Sequence, residues 1–369
     1  MNWNGRRVLL TGHTGFKGSW LAIWLQGLGA ELCGLALKPP TAVNLFEDAR
    51  VGQGMRSVIG DIRDAELVRQ VFLEHRPEVV FHLAAQPLVR ASYADPLGTF
   101  ATNVMGTAHV LDAARAVDSL HVMVIITTDK CYENREWPWP YRESDRLGGF
   151  DPYSNSKACA ELVVSAYRNS FFNPHDYARH GVAIATARAG NVIGGGDWAE
   201  DRLVPDAIRA FQLGRPVRIR NPRAIRPWQH VLEPLQGYID VAALLMHKGV
   251  AGAEAWNFGP YPSEAQPVEW VVSELARLWG EGAGWEQEPG QHPHEAQSLK
   301  LDISKAAAQL GWQPRLQLAE ALAITQAWYG ERWQRERDGR STDMRAFTEA
   351  QIHDYQQRAA RLNGVTIEH

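Results

Sequence analysis

One segment constrains this chain more than any other: Val8-Leu9-Leu10-Thr11-Gly12-His13-Thr14-Gly15-Phe16-Lys17-Gly18. A short apolar run ends in a turn with glycines at three-residue intervals. An apolar-rich stretch follows, carrying Trp20, Leu21, Ile23, Trp24, Leu25 and Leu28. That order calls for a buried strand, a tight turn and a helix packed back onto the strand. The first glycine permits the turn, the second lets backbone come close to a pyrophosphate, and the third lets helix and strand touch. The helix N-terminus then faces the phosphates, so the segment reads as a dinucleotide cradle. Its spacing is G-x-x-G-x-x-G rather than G-x-G-x-x-G.

The same alternation continues. Leu32–Leu37, Ser57–Ile59, Val79–Leu83, Val122–Thr127 and Val182–Ala187 read as further strands. Helical patterns at Ala65–Glu74, Thr102–Ala116 and Ser156–Ser170 lie between them. Strands separated by helices predict an α/β fold, a Rossmann-type doubly wound parallel sheet. After Gly190 the texture shifts to dense glycine, proline and arginine, as in Gly194-Gly195-Gly196 and Arg215-Pro216. Helical patterns return at Leu232–Met246, Val268–Trp279 and Leu318–Trp333. The expected division assigns 1–189 with about 231–260 to a dinucleotide-binding domain. A smaller C-terminal domain takes 190–230 and 261–340, and 341–369 is read as a helical tail, with Asp343–Leu362 a charged surface helix that takes no part in the chemistry.

Composition excludes several classes. The 38 Lys+Arg against 42 Asp+Glu leave a net charge of −4, without the basic excess of a general nucleic-acid or anionic-membrane binder. Cys33, Cys131 and Cys159 are sparse and unpaired in pattern, which fits neither a disulfide framework nor a zinc ribbon. No metal site is expected. No run of about 18 apolar residues suggests a membrane span, and no signal-peptide core follows Met1, so a cytoplasmic location is expected.

The acidic residue that usually reads the adenosine ribose should sit about 20 residues past the cradle. Gly34-Leu35-Ala36-Leu37-Lys38 has none there, and Lys38 would even suit a 2'-phosphate, so NAD and NADP stay open on local charge alone. Asp61, beside Ile62 after the third strand, can accept from an adenine amino group or cap a helix. Tyr153 and Lys157 stand four residues apart on one helix face. A lysine ammonium beside a phenol lowers its pKa, so the tyrosine can take a proton from a hydroxyl while a nicotinamide takes the hydride. Y-x-x-x-K alone is a common coincidence; downstream of a dinucleotide cradle it carries weight.

Together these pieces resemble the extended short-chain dehydrogenase/reductases that act on nucleotide sugars. The match runs through Thr11–Gly18, Asp61-Ile62, His82-Leu83-Ala84-Ala85-Gln86, Asn103–Thr107, Tyr153/Lys157 and Arg188–Val192. The resemblance implies an NAD site built from Gly12, Thr14, Gly15, Phe16, Lys17, Gly18, Asp61, Ile62, Leu83, Ala84, Ala85, Gln86, Asn103, Thr127, Tyr153 and Lys157. It also implies a smaller nucleotide-sugar domain on the C-terminal side.

Thr127-Thr128-Asp129-Lys130-Cys131-Tyr132 marks a subgroup. Nucleotide-sugar 4,6-dehydratases typically carry Thr-Asp-Glu here, and the Asp-Lys-Cys-Tyr variant is similar to that of CDP-glucose 4,6-dehydratases. Gly195–Trp198, Arg226–Val231, Trp256–Pro260, His294-Glu295 and Leu299–Asp302 fit the same group. The resemblance implies CDP-glucose as substrate, with Tyr153 as base, Thr128 on the C4 hydroxyl and Asp129 donating to the leaving C6 hydroxyl. Lys130 is the C5 base if its pKa falls well below about 10.4; otherwise it orients Asp129 or stabilises an enolate. Gln86, Arg90, Asn191, Arg202, Arg226 and His230 are the expected substrate contacts, with Arg218 a further diphosphate candidate and His230 open to a purely structural reading.

The alternatives are another nucleotide-sugar 4,6-dehydratase, a 4-epimerase, which has no need of Asp129, or a non-catalytic NAD sensor. A homodimer is expected through a bundle of the helices 99–117 and 153–167, with Ala108, Val110, Leu111, Ala114, Ala160, Val163 and Val164 in the contact.

Overall fold

The computed structural model describes residues 1–289 and 299–362. His294-Glu295 and residues 363–369 lie outside them. Seven strands form one sheet in the order Ala255–Phe258, Ala183–Ala189, Val122–Ile126, Val79–His82, Arg7–Thr11, Glu31–Ala36, Arg56–Ile59. Every pairing in it is parallel. The six strands read from sequence are all present. The seventh, Ala255–Phe258, adds to the edge beside Ala183–Ala189.

Parallel strands are covered on both faces, and here the side chains alternate between two separate cores. Val8, Leu10, Val79, Phe81, Val122 and Val124 enter one core with helices Phe16–Gly27, Leu232–Lys248 and Leu318–Arg337. Leu9, Val80, Met123, Ile125 and Ile184 enter the other, under helices Ala65–His75, Gly106–Ala114 and Pro152–Ser170. The strand order reverses between Arg7–Thr11 and Val79–His82, and a crevice opens beyond the carboxyl ends at such a point.

Three expectations need correction. The helical stretch after Thr99 is not one regular helix: Ala101–Met105 is a π turn feeding into Gly106–Ala114. Such turns re-aim side chains, and here the effect is to bury Asn103. The expected C-terminal helix is present as Arg345–Leu362, but it is docked on the core rather than lying wholly on the surface. Met344, Thr348, Ile352 and Tyr355 are buried, Trp328 Nε1 donates to Thr348 Oγ1 at 3.0 Å, and Tyr355 packs edge-on against Trp24 of the first helix. Its polar composition reflects the outer face only. Finally, Val110, Leu111, Ala114 and Val164 are spent inside the subunit, in the core beneath their own helices. The large apolar side chains exposed on or just before those segments are instead Leu97, Met105 and Leu162, at 81%, 52% and 59% exposure.

Candidate active site

The cradle is built on Gly12, whose φ of +80° suits glycine alone; a Cβ there would lie 2.7 Å from the Ala84 backbone nitrogen. A Cβ on Gly18 would lie 2.0 Å from the Gly12 carbonyl oxygen, so the helix and turn touch at backbone distance. Gly15 is the residue from which the helix starts, and no side chain caps it, which leaves the first-turn amides aimed outward. Thr14 Oγ1 donates to the Leu37 carbonyl at 2.8 Å, tying the turn to the second strand. Asp61 does not cap the next helix, because Asp64 does so through Leu67 N. The Asp61 carboxylate is instead gripped by Arg63 (2.9 and 2.6 Å), which holds it below the usual carboxylate range.

Under the cradle, His82 bridges Thr11 Oγ1 (2.7 Å) and Thr107 Oγ1 (3.0 Å). Burial lowers this imidazole to about 3. The π turn aims Asn103 at two elements: Oδ1 accepts from Gln86 N at 2.8 Å, and Nδ2 donates to Gln86 O at 3.0 Å and Ser156 Oγ at 2.8 Å. Asn103 thereby locks the loop after the fourth strand to the Tyr153 helix. Gln86 is fully engaged: its amide donates to Thr99 Oγ1 at 2.9 Å and accepts from Leu88 N at 2.6 Å.

A cavity of about 750 Å³ lies beyond the strand ends, within the range of small-molecule sites. Its walls include Phe16, Lys17, Thr127, Thr128, Lys130, Tyr153 and Gly190 on the sheet side, and Asn191, Arg202, Arg218, Arg220 and Arg226 toward the second lobe. Arg90 stands at its edge, paired with Asp201 at 2.7 Å. Of the expected substrate contacts, Gln86 and His230 are not on this wall. His230 is buried edge-on against Trp20, accepting from Leu232 N at 3.3 Å, and burial lowers its pKa to about 3. It belongs to the packing, as its alternative reading had it. Arg218 is largely solvent-facing and bonds Glu286 at 2.8 Å.

The segment after the fifth strand turns as a short 3-10 helix, Asp129–Cys131, with Thr128 at its N-cap. Thr128 Oγ1 donates to Asp129 Oδ1 at 3.0 Å. Asp129 is 1% exposed, and its second oxygen, Oδ2, has no hydrogen-bond partner. Lys130 Nζ stands 3.8 Å from Asp129 Oδ1 and opens to the cavity. Thr128 also hydrogen-bonds Tyr153, whose phenol burial pushes up to about 12, with the Asp129 charge adding to the rise.

This corrects the expectation that Lys157 brings the Tyr153 pKa down. Sharing a helix face does not suffice, because Lys157 Nζ is turned onto the Ile126 carbonyl at 3.1 Å and desolvation of the phenol dominates. Burial lowers Lys157 itself to about 8, against the opposing pull of Glu161. Lys17 falls to about 7, first by burial and then by repulsion from Lys157 and Arg202. Arg202 is held by Asp197 at 2.7 Å.

Sequence reasoning missed the buried cluster behind this site, where Glu161 meets Thr127, Thr186 and Arg188. Glu161 lies four residues past Lys157, the same helix interval that exposed the Tyr/Lys pair, so the signal was there. The gathering of Phe150, Asn134 and Arg135 at the cavity wall had none, because they come from a loop without periodicity.

Chains of known activity share this architecture. A CDP-glucose 4,6-dehydratase of Salmonella typhimurium is 54% identical over 97% of this chain and 98% of its own length. A dTDP-glucose 4,6-dehydratase of Xanthomonas campestris is 27% identical, covering 87% and 92%. Among solved structures, DesIV, a dTDP-glucose 4,6-dehydratase from Streptomyces venezuelae with NAD and TYD bound, superposes with a TM-score of 0.74 at 25% identity, covering 88% and 97%. A UDP-glucose 4-epimerase of Thermotoga maritima reaches 0.75 at 23% identity, which speaks for the fold alone. Residues 9–325 match the family model described as GDP-mannose 4,6 dehydratase, and this chain belongs to that family.

Proposed function

We propose that this chain is an NAD-dependent lyase that converts CDP-glucose to CDP-4-keto-6-deoxy-glucose. The observation that carries the reading is the 54% identity, across nearly the whole chain, to an enzyme of that activity. The geometry agrees: Thr128, Lys130 and Tyr153 share one cavity wall, with Asp129 directly behind.

The cradle suits NAD, because a Cβ at Gly12 would fill the turn and the uncapped helix start presents its amides to a pyrophosphate. Lys17, Thr127 and Lys157 would hold its nicotinamide end. NAD held there would supply the acceptor for the C4 hydride and the donor that restores it at C6. Tyr153, positioned by Thr128, takes the C4 hydroxyl proton. With its phenol at about 12 in the free site, this transfer depends on a nearby cation, and Arg202 is the one that draws the phenol down. The ketone at C4 acidifies the C5 proton. Asp129 is assigned the proton given to the departing C6 hydroxyl, a role supported by its buried, unpartnered Oδ2 beside Gly190. Lys130, opening to the cavity next to it, is assigned the C5 proton.

Arg202, Arg226 and Asn191 are assigned to the substrate diphosphate, for which planar guanidinium donors are suited. The cofactor domain is taken as 1–189 with about 231–260, and the sugar domain as 190–230 with 261–340. A homodimer is assigned to the exposed Leu97, Met105 and Leu162 rather than to the residues buried beneath them. Among the described residues no helix is long and apolar enough to cross a membrane, and the three cysteines are free; a cytoplasmic location accords with both.

Thermal-shift titrations with CDP-glucose, dTDP-glucose, UDP-glucose and GDP-mannose test the reading, followed by mass analysis of turnover. Selective stabilisation by CDP-glucose with loss of one water from the sugar is expected. Preference for another nucleotide, or epimerisation without loss of water, would overturn it.

A further inference from the structure

The residues behind the catalytic segment form a closed polar cluster that the reaction scheme does not use. Glu161 and Arg188 make a two-point ion pair, Nε to Oε1 and Nη2 to Oε2, each 2.9 Å, with both side chains only 4% exposed. The carboxylate also accepts from Thr127 Oγ1 at 2.5 Å and Thr186 Oγ1 at 2.7 Å. Arg188 Nη1 donates to Tyr132 Oη at 2.7 Å and the Glu143 carbonyl at 3.0 Å, and Tyr132 Oη donates to Asn257 Oδ1 at 2.8 Å. The pair therefore ties the Tyr153 helix to the ends of the fifth, sixth and seventh strands.

Its relation to Lys157 is specific. Lys157 and Glu161 sit one helical turn apart on one face and grip consecutive residues of the fifth-strand end, Ile126 through its carbonyl and Thr127 through its hydroxyl. Buried ion pairs are costly to desolvate and often add no net stability, so this one calls for another role.

We propose that Glu161 is a positioning residue for Lys157: the carboxylate, fixed by Arg188, Thr127 and Thr186, keeps the neighbouring ammonium charged and holds it to the strand end beside Tyr153. The proposal rests on the reading of Tyr153 and Lys157 given above. Lys157 is otherwise faced by few ionisable groups. Glu161 is the leading influence that opposes its desolvation, followed by the Cys131 thiol. Lys17, on the first helix, repels it electrostatically. His82, on the fourth strand, is held neutral by burial and the Lys157 charge, and Tyr153 stands one turn back on the same helix.

The test uses Glu161→Gln and the double variant Glu161→Gln/Arg188→Met, which leaves no lone buried charge. In holoenzyme labelled with 15N at lysine Nζ, the Lys157 resonance, assigned by its absence in Lys157→Met, is followed against pH. The alkaline limb of the kcat profile is recorded in parallel. In Glu161→Gln both midpoints should move down by about one pH unit, the effect of removing one nearby opposite charge, and in the double variant, which also removes the Arg188 charge, by less. A folded variant with an unmoved Lys157 titration overturns the proposal, as does loss of the fold in both variants, which would assign the pair to stability alone. Full turnover by Lys157→Met would instead remove the reading of Lys157 itself, whatever its titration does.

Discussion

Two ion pairs near the cavity show how differently its two ends are built. Glu161–Arg188, behind the catalytic segment, has both partners 4% exposed and engages both carboxylate oxygens and all three guanidinium nitrogens with neighbours. Arg90–Asp201, at the cavity edge, has partners 50% and 40% exposed, and Arg220 shares the same carboxylate at 3.8 Å. In a water-poor interior a charge cannot move without large cost, so the inner pair fixes geometry. At the edge, solvent screens the pair, and its arginines can leave it for a phosphate with little loss. One end is fixed for proton transfer; the other is free to rearrange around a ligand.

The sharpest way to break that contrast is Tyr153→Phe. Turnover should fall by about 10²–10⁴-fold, the usual contribution of a positioned acid or base, while calorimetric CDP-glucose affinity stays within a few-fold. Retained turnover would show that the inner end does not perform the proton transfer. Asp129→Asn should slow elimination by about 10²-fold or more yet permit oxidation at C4, so that mass analysis of a single turnover finds the 4-keto-glucose nucleotide. If no keto sugar forms, Asp129 serves binding or the first step. Lys130→Met should stop solvent deuterium entering C5; unchanged exchange makes the lysine a bystander.

A smaller effect tests the dry interior as a whole. His13, His82 and His230 are held near 4, 3 and 3 by burial, below an unfolded value of 6.5. The unfolded chain therefore binds more protons than the folded one below about pH 6.5, and stability is lost as the pH falls from there toward 4. Denaturant unfolding at pH 7 and pH 5 should differ by on the order of 1–2 kcal/mol for each histidine. Equal stability at the two pH values would mean these imidazoles are not desolvated. The smallest effect belongs to the edge: Arg90→Ala should change folding stability by less than about 1 kcal/mol, and by less still in high salt. A larger loss would make the edge as rigid as the interior.

What was legible in sequence follows from local rules. The six first strands and the helices between them are periodic signals, and Gly12 and Gly18 were readable because only glycine fits a positive φ and a backbone contact. Tyr153, Lys157 and the Thr127–Tyr132 run carried their own spacing, and with it the family. Other features depended on distant partners. Whether Gln86 faces a ligand or Thr99, whether Asp61 caps a helix or holds Arg63, and whether His230 reaches the cavity are decided by which hydrogen-bond partner the fold brings near. The same holds for the Val110 and Leu111 face, which the sheet took before any second subunit could.

The amino-acid sequence by itself determined the doubly wound sheet, the phosphate cradle and the spacing that puts Tyr153 and Lys157 on one helix face, because turn chemistry and residue periodicity act over a few neighbours. Only the tertiary structure decided how far burial moves the titration of Tyr153 and Lys17. Tyr153 rises to about 12 and Lys17 falls to about 7 because each is stripped of water by residues far away in the chain, and desolvation depends on what surrounds a group in space.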